Sequence, residues 1–340
     1  MNLPANGKDS IVILLEKHMN KLLELKNKLK AIWSHLFYVK RKTATGQKLY
    51  RFLIPYYRFV QWYPVWFFAA NRKNKKLYNE QSKELDDLGH RIIGDLKRSG
   101  IAICNLLELF PKDNSFEKLR AYANSLTESV KKRDSGKTFL ADLWPKRPVL
   151  DFKNPFLGFI LDRKIVNIVN AYMGMCSRFF MFTLSVALPV GQAAPQGSQN
   201  WHRDPEDRKL CKVFLYLNDV DENSGPFIYV KETHHHGKFG KIFPQKPPKG
   251  YSPIKSGVRL ENFIPEENIV TVAGRAGTVV FCDTAGFHRG GYALSGERLM
   301  FTGGFYSAAS FWPVNFSYPE NFGNIIQDLD PVVRYALAKE

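Results

Sequence analysis

Two histidines and one aspartate stand at positions from which they could bind a single metal ion. His202 and Asp204 lie two residues apart in the segment NWHRD. In an extended segment, residues i and i+2 point to the same side, so this imidazole and this carboxylate can reach one ion. His288 lies in a glycine-rich turn, GFHRGG, after a predicted strand. Two histidines and a carboxylate form the facial triad that holds iron(II) in non-haem oxygenases and leaves further coordination positions open.

A cation close to this triad could bind a dicarboxylate cosubstrate. Arg298 lies ten residues beyond His288, and its planar guanidinium can pair with a carboxylate through two hydrogen bonds. We expect the strand 299–306 to follow the strand before His288 after a hairpin, which would bring Arg298 back toward the metal. Arg289 would point away from the pocket if the local chain is extended. The prediction is an iron(II) site that takes 2-oxoglutarate, anchored by Arg298, and dioxygen.

Neighbouring residues offer alternatives to this ligand set. Glu206 and Asp207 could compete with Asp204 as the carboxylate, but only Asp204 has the i+2 spacing from His202. The pair His202 and Asp204 could also be a hydrogen-bonded surface pair in a polar loop. Three histidines at 234–236 look like a metal cluster. Adjacent strand residues point to opposite faces, so we interpret this run as a polar turn.

The second half of the chain favours a core of β-strands. Many short β-prone runs separated by turn residues are typical of a sandwich or jelly roll. The predicted strands are residues 178–190, 212–218, 226–230, 269–272, 277–282 and 299–306, and a further strand is expected within 101–110. Helices are predicted at 10–38, 80–98, 115–132 and 161–173. The proline-rich stretch 231–268 is predicted to be a lid-like insertion, because loops of this length often cover a site.

Residues 1–80 carry most of the positive charge. They hold 16 Lys and Arg against 4 Asp and Glu, whereas the remaining residues hold 33 against 28. Aromatic residues alternate with basic clusters over 40–76. This composition suits an anchor at an anionic membrane surface, and equally a surface that packs on a partner or on the protein's own core. We therefore divide the chain into a basic, helical extension of residues 1–80 and a catalytic domain of residues 81–340.

Other features limit the location and the partners of the protein. The uncharged run Phe59–Asn71 spans 13 residues, fewer than the roughly 20 that cross a bilayer, so no transmembrane helix is predicted. No signal peptide is evident. None of the four cysteines stands in a C-x-x-C pair, which favours reduced, buried thiols. We expect a cytoplasmic protein with peripheral membrane contact through residues 1–76, and we do not expect a nucleic-acid partner.

The order and spacing of these motifs resemble the phytanoyl-CoA dioxygenase family of iron(II)/2-oxoglutarate oxygenases. The similarity runs over about residues 100–310 and rests on WHRD (201–204), LYLNDVDENSGPFIYV (215–230), KETH (231–234), GTVVFCD (277–283), HRGG (288–291) and Arg298. It implies an α+β fold with a double-stranded β-helix core, a cupin-like jelly roll flanked by helices. It also implies iron bound by His202, Asp204 and His288. Arg203 departs from the glutamine that the family often has at this position.

These observations predict a dioxygenase that hydroxylates a lipid, a lipid-linked glycan or another small organic substrate and releases succinate and CO2. A carboxylate at Asp204 favours hydroxylation over halogenation, because related halogenases carry a small residue there. Desaturation and ring closure stay open. The alternative is a non-catalytic lipid- or nucleic-acid-binding protein on a degenerate oxygenase scaffold. A degenerate scaffold need not keep both histidines, the aspartate and the arginine, and this chain has all four.

Overall fold

The computed structural model describes residues 44–81, 84–111, 114–130, 139–190, 195–244 and 259–338. Its helices are α1 Ala44–Gln61, α2 Arg72–Gln81, α3 Asp87–Ser99, α4 Leu106–Leu109, α5 Ser115–Val130, α6 Pro155–Ile160, α7 Arg163–Met173, α8 Phe322–Ile325 and α9 Pro331–Leu337. Its strands are β1 Ile101–Asn105, β2 Leu140–Asp142, β3 Arg178–Ala187, β4 Leu210–Tyr216, β5 Phe227–Val230, β6 Ile269–Val272, β7 Thr278–Cys282, β8 His288–Gly290 and β9 Arg298–Tyr306. The helix predicted over 10–38 lies outside the described residues.

Two antiparallel sheets form the double-stranded β-helix core. The larger sheet has the order β1-β7-β4-β9-β3-β2, and the smaller has the order β6-β5-β8. The sheets pack on each other through a buried cluster in which Phe214 and Val280 of the larger sheet join Phe227 and Val272 of the smaller. This α+β fold, the six predicted strands and the further strand expected within 101–110 are confirmed. The short strands β2 and β8 have too few residues to give a periodic signal.

Helices cover the outer face of the larger sheet. Successive side chains of strand β4 point to opposite faces of the sheet. Val213 and Leu215 pack in the cluster under the helices, and Phe214 packs toward the smaller sheet. Strand β9 carries Gly303 where α6 approaches, and a Cβ there would lie 2.5 Å from Cγ1 of Ile160. The absence of a side chain at Gly303 therefore lets α6 pack closely on the sheet.

The connection between the metal motif and Arg298 differs from the predicted hairpin. Strand β4 lies between β7 and β9, so the strand before His288 and the strand after it do not pair. The chain leaves the larger sheet after β7, contributes β8 to the smaller sheet, and returns as β9. The hairpin prediction was wrong because strand neighbours in a jelly roll are set by pairing between distant segments. Arg298 nevertheless returns to the cavity that contains His288.

The described part of the extension contacts the catalytic domain. Tyr57, Val60 and Trp66 are buried in the main core. The indole nitrogen of Trp66 donates a hydrogen bond of 2.9 Å to Oδ1 of Asp207. On the other side of this segment, the large side chains of Phe59, Trp62 and Phe68 are exposed. No helix among the described residues is long and apolar enough to cross a membrane. The domain boundary at residue 80 stays a prediction.

The indole hydrogen bond gives a stability test for this contact. We expect Trp66→Phe to lower the free energy of unfolding by about 1–3 kcal/mol, because it leaves a buried acceptor on Asp207 short of one donor. Trp62→Phe is the matched control, and its exposed side chain predicts a change within about 0.5 kcal/mol. Urea unfolding of the two variants measures the difference. Equal free energies of unfolding for the two variants would show that the hydrogen bond from Trp66 does not stabilise the contact between the extension and the catalytic domain.

Candidate active site

Two distant segments of the chain pair at the site and bring both histidines together. The backbone nitrogen of His202 donates to the carbonyl of His288 at 3.1 Å, and the reverse hydrogen bond measures 3.0 Å. Two residues on, the nitrogen of Asp204 donates to the carbonyl of Thr284 at 2.9 Å. The pairing is antiparallel, and it sets the two imidazole ring centroids 4.2 Å apart.

The side chains of these three residues form one compact, buried group. Nε2 of His288 lies 3.4 Å from Oδ2 of Asp204, and Nε2 of His202 lies 3.9 Å from Oδ1 of the same carboxylate. One nitrogen or oxygen atom from each residue lies within 4.8 Å of the others. Among the described residues, no other group of His, Cys, Asp or Glu meets this criterion. The expected i+2 geometry of His202 and Asp204 is thus present.

The protonation states of this group suit metal binding. Nδ1 of His202 lies 2.8 Å from the carbonyl of Asn200, and Nδ1 of His288 lies 3.0 Å from the carbonyl of Gly286. A carbonyl only accepts, so in each neutral ring Nδ1 carries the proton and Nε2 keeps its lone pair. Burial and the neighbouring His202 lower the pKa of His288 to about 3, which keeps that imidazole neutral.

Lys212 is the basic partner of this carboxylate, and sequence reasoning missed it. Its Nζ lies 2.6 Å from Oδ2 of Asp204 and 3.9 Å from Oε1 of Glu206. Burial opposes ionisation of Asp204, but Lys212 and the two histidines hold the pKa of that carboxyl below its usual value. Burial and the charge of Asp204 raise the pKa of Glu206 to about 7. The period of two along β4 places Lys212 on the same face as Phe214, and this alternation could have revealed it.

Arg298 lies at the start of β9, buried in the wall of the same cavity. Its guanidinium donates to the carbonyl of Gly225. Burial lowers the pKa of Arg298, and the neighbouring hydroxyl of Tyr216 partly offsets this effect. Arg289 instead packs over the ring of Trp201, 4.2 Å from its centroid, and does not line this cavity. The prediction that Arg289 points away from the pocket is confirmed.

The triad and Arg298 line one cavity of about 350 Å³. Its wall is partly apolar, with Phe214, Phe227 and Met300. Serine and threonine side chains of β3 and β9 also contribute to it. None of the residues 231–244 and 259–268 lines it, so a lid over this cavity stays a prediction for the remainder of the insertion.

Two other predictions about reactive side chains can be followed in the structure. The histidines at 234–236 lie in a turn, as expected, and Nε2 of His234 donates a 3.2 Å hydrogen bond to the carbonyl of Lys97. All four cysteines are free and buried. Burial raises the pKa of Cys104 to about 12 and that of Cys176 to about 11, which keeps both as unreactive thiols.

A family comparison agrees with this site. The family model of phytanoyl-CoA dioxygenase (PhyH) matches residues 111–299, more than half of the chain. The chain therefore belongs to the phytanoyl-CoA dioxygenase family, and it is a 2-oxoglutarate-dependent non-haem iron oxygenase. Its cofactor is iron(II), its cosubstrate is 2-oxoglutarate and its oxidant is dioxygen. No curated protein matches the chain in sequence.

Several solved structures are similar to the chain at low sequence identity. The epimerase SnoN, in complex with Fe3+, alpha ketoglutarate and nogalamycin RO, is 15% identical, with 65% of this chain and 84% of SnoN covered and a TM-score of 0.48. EctD from S. alaskensis with bound Fe is 13% identical, with 71% and 86% covered and a TM-score of 0.45. HygX from Streptomyces hygroscopicus, with nickel, 2-oxoglutarate and hygromycin B bound, is 17% identical, with 64% and 86% covered and a TM-score of 0.44.

The position of Lys212 between two carboxylates gives a metal-dependent prediction. Lys212→Met removes the only lysine close to Asp204 and Glu206 among the described residues, so we expect the metal-free protein to lose about 3–5 kcal/mol of unfolding free energy. Mn(II) should replace part of the missing positive charge. Thermal unfolding should then show a larger stabilisation by Mn(II) in Lys212→Met than in the wild type.

A neighbouring lysine provides the control for that experiment. Lys209 is also partly buried, but its Nζ donates to the carbonyl of Tyr172 at 2.5 Å rather than to the triad. Lys209→Met should therefore respond to Mn(II) as the wild type does. An equal Mn(II) effect in all three proteins would mean that Lys212 does not share the charge of a metal site.

Proposed function

We propose that His202, Asp204 and His288 hold the catalytic iron and that Arg298 binds the distal carboxylate of 2-oxoglutarate. The observation that carries this proposal is that all four side chains line a single buried cavity. The donor set fits iron(II), because two imidazoles whose Nδ1 atoms face backbone carbonyls and one carboxylate meet within 4.8 Å. Arg298 fits the cosubstrate because a guanidinium pairs with a carboxylate through two charge-assisted hydrogen bonds.

The residues around the triad set the conditions for the reaction. When bound, the iron supplies dioxygen activation coupled to oxidative decarboxylation of 2-oxoglutarate to succinate and CO2, with oxidation of the substrate. Lys212 keeps Asp204 ionised and holds one of its oxygens, which leaves the other directed toward His202. Phe214 and Phe227 exclude water from the same space.

The shape of the cavity supports a small organic substrate or the slender end of a larger one. A volume of about 350 Å³ is near the lower limit of the roughly 300–1,000 Å³ of ligand pockets. The cosubstrate takes part of that space, so only the reacting portion of a substrate fits beside it. The apolar side chains Phe214, Phe227 and Met300 favour an aliphatic carbon over a charged group at the site of hydroxylation. An acyl chain, free or lipid-linked, meets both conditions.

The two arginines of this region allow a matched test of the cosubstrate site. We expect Arg298→Gln to raise the KM for 2-oxoglutarate about 10- to 100-fold, since it removes two charge-assisted hydrogen bonds from the carboxylate. Arg289→Gln makes the same change in charge beside His288 but outside the cavity, and it should leave this KM within about twofold. Succinate formation against 2-oxoglutarate concentration measures both constants. If Arg289→Gln gave the larger effect, the assignment of Arg298 would be wrong.

A second proposal concerns the extension, which we propose contacts an anionic membrane peripherally. Phe59, Trp62 and Phe68 are each more than half exposed. Exposed basic side chains accompany them on the same segment, including Arg58 and Arg72. Large aromatic side chains beside cations suit the headgroup region of an anionic bilayer, where the rings enter the interface and the cations bind phosphate.

Vesicle co-sedimentation of the full chain tests the membrane proposal. Replacing Phe59, Trp62 and Phe68 together by serine should reduce binding to anionic vesicles at least about tenfold, because the loss of three interfacial aromatics removes apolar area. The matched control replaces three exposed apolar residues elsewhere, Ile103, Leu107 and Leu294, by serine. Equal vesicle binding by the two triple variants would contradict the proposal.

A further inference from the structure

A second cavity, of about 330 Å³, lies where α1 meets the turn that contains the three histidines. Its wall is rich in basic side chains: Arg203, Arg208, Lys241 and His235. No carboxylate lines it among the residues that the structure describes. The cavity shares no lining residue with the one that holds the triad, and its argument does not depend on iron.

The two arginines of this cavity lack acidic partners. Neither guanidinium has a carboxylate oxygen within 4.0 Å in the described part of the chain. Arg203 donates to the backbone carbonyls of Thr233, Ala285 and Ile242, and its guanidinium lies 4.0 Å from the ring centroid of Phe287. Arg208 donates to the carbonyl of Gln61 at 2.9 Å. Neutral carbonyls and a ring face compensate a buried charge only in part.

The nearest acidic side chain is already occupied. Asp207 raises the pKa of Arg208 through its charge, although burial lowers it further. The oxygens of Asp207 accept from the indole of Trp66 at 2.9 Å, the backbone of Ser307 at 2.7 Å and the backbone of Arg208 at 2.7 Å. Its hydrogen-bonding capacity is thus directed to the backbone and Trp66 rather than to the guanidinium.

Several donor groups of the residues that line the cavity have no acceptor in the described part of the chain. A guanidinium has five N–H groups, and the hydrogen bonds above use three in Arg203 and one in Arg208. The buried Nε atoms of both arginines and Nε2 of Gln61 have no hydrogen-bond partner among the described residues. Burial, followed by the charges of Arg208, His236 and Arg203, lowers the pKa of His235 to about 3, so this imidazole adds no carboxylate-like partner for the arginines.

We propose that this cavity binds a phosphoryl group, carried either by a soluble phosphate ester or by a lipid headgroup. Arg203, Arg208 and Lys241 contribute three formal positive charges, which match a phosphate dianion better than a single carboxylate. The fork of N–H donors on each guanidinium fits phosphate oxygens. Arg203 stands between the proposed iron ligands His202 and Asp204 in sequence, but its side chain points into this second cavity.

Isothermal titration of the full chain with inorganic phosphate tests the site. The wild type should bind one phosphate. Arg208→Gln and Lys241→Gln should each weaken binding about tenfold or more, because each removes a charged donor. Lys238→Gln is the matched control, because it makes the same change in charge in the same segment at an exposed residue that lies outside the cavity. Its affinity should stay within about twofold of the wild type.

A second arm identifies the source of the phosphoryl group. Binding to vesicles of phosphatidylcholine, with and without phosphatidic acid, is measured for the wild type and for the three variants described above. Binding of inorganic phosphate that depends on Arg208 and Lys241 supports a soluble ester. Selective binding of phosphatidic-acid vesicles with the same dependence, but no binding of free phosphate, supports a lipid headgroup. Lys241 is exposed, so Lys241→Gln stays informative if Arg208→Gln unfolds. If neither probe binds, or if Lys238→Gln weakens binding as much as Lys241→Gln, the proposal is wrong.

Discussion

The two hydrogen bonds that join the backbones of His202 and His288 are the contact on which the site depends. The histidines come from distant parts of the sequence, and only this antiparallel pairing sets their rings 4.2 Å apart. The pairing also extends to Asp204, whose nitrogen bonds the carbonyl of Thr284. His288 lies in β8 of the smaller sheet, and that sheet packs on the larger one through their shared cluster. The two sheets together therefore support the three side chains.

The same strip of backbone separates two electrostatically different spaces. Side chains alternate along an extended segment, so His202 and Asp204 point into the triad cavity while Arg203 lines the basic cavity behind it. On the triad side, Lys212 balances the negative charge of Asp204 and Glu206. On the other side, carbonyls and the ring of Phe287 are the main partners of Arg203. The segment NWHRD therefore contributes to two separate cavities, of which the one lined by Arg203 has only basic charged residues in its described wall.

Local patterns predicted the parts of this protein that depend on local geometry. The i+2 spacing located His202 and Asp204, and short β-prone runs separated by turn residues located six strands. The order of the strands could not be predicted from local patterns, because β4 lies between β7 and β9 through contacts between distant segments. The hydrogen bond from Trp66 to Asp207 has no local signal for the same reason. Lys212 could be predicted only in part. The alternation along β4 places its side chain on the inward face, but its carboxylate partners come from another segment and have no local signal.

The central claim is that the triad and Arg298 together form an iron and 2-oxoglutarate site. An anaerobic titration of the metal-free wild type with Fe(II) and 2-oxoglutarate tests it most directly, through the visible charge-transfer band of an iron-chelated keto acid. We expect a band that saturates at one iron and one 2-oxoglutarate per chain and that requires both additions. A protein that retains no iron, or that binds iron without developing the band, would contradict the account.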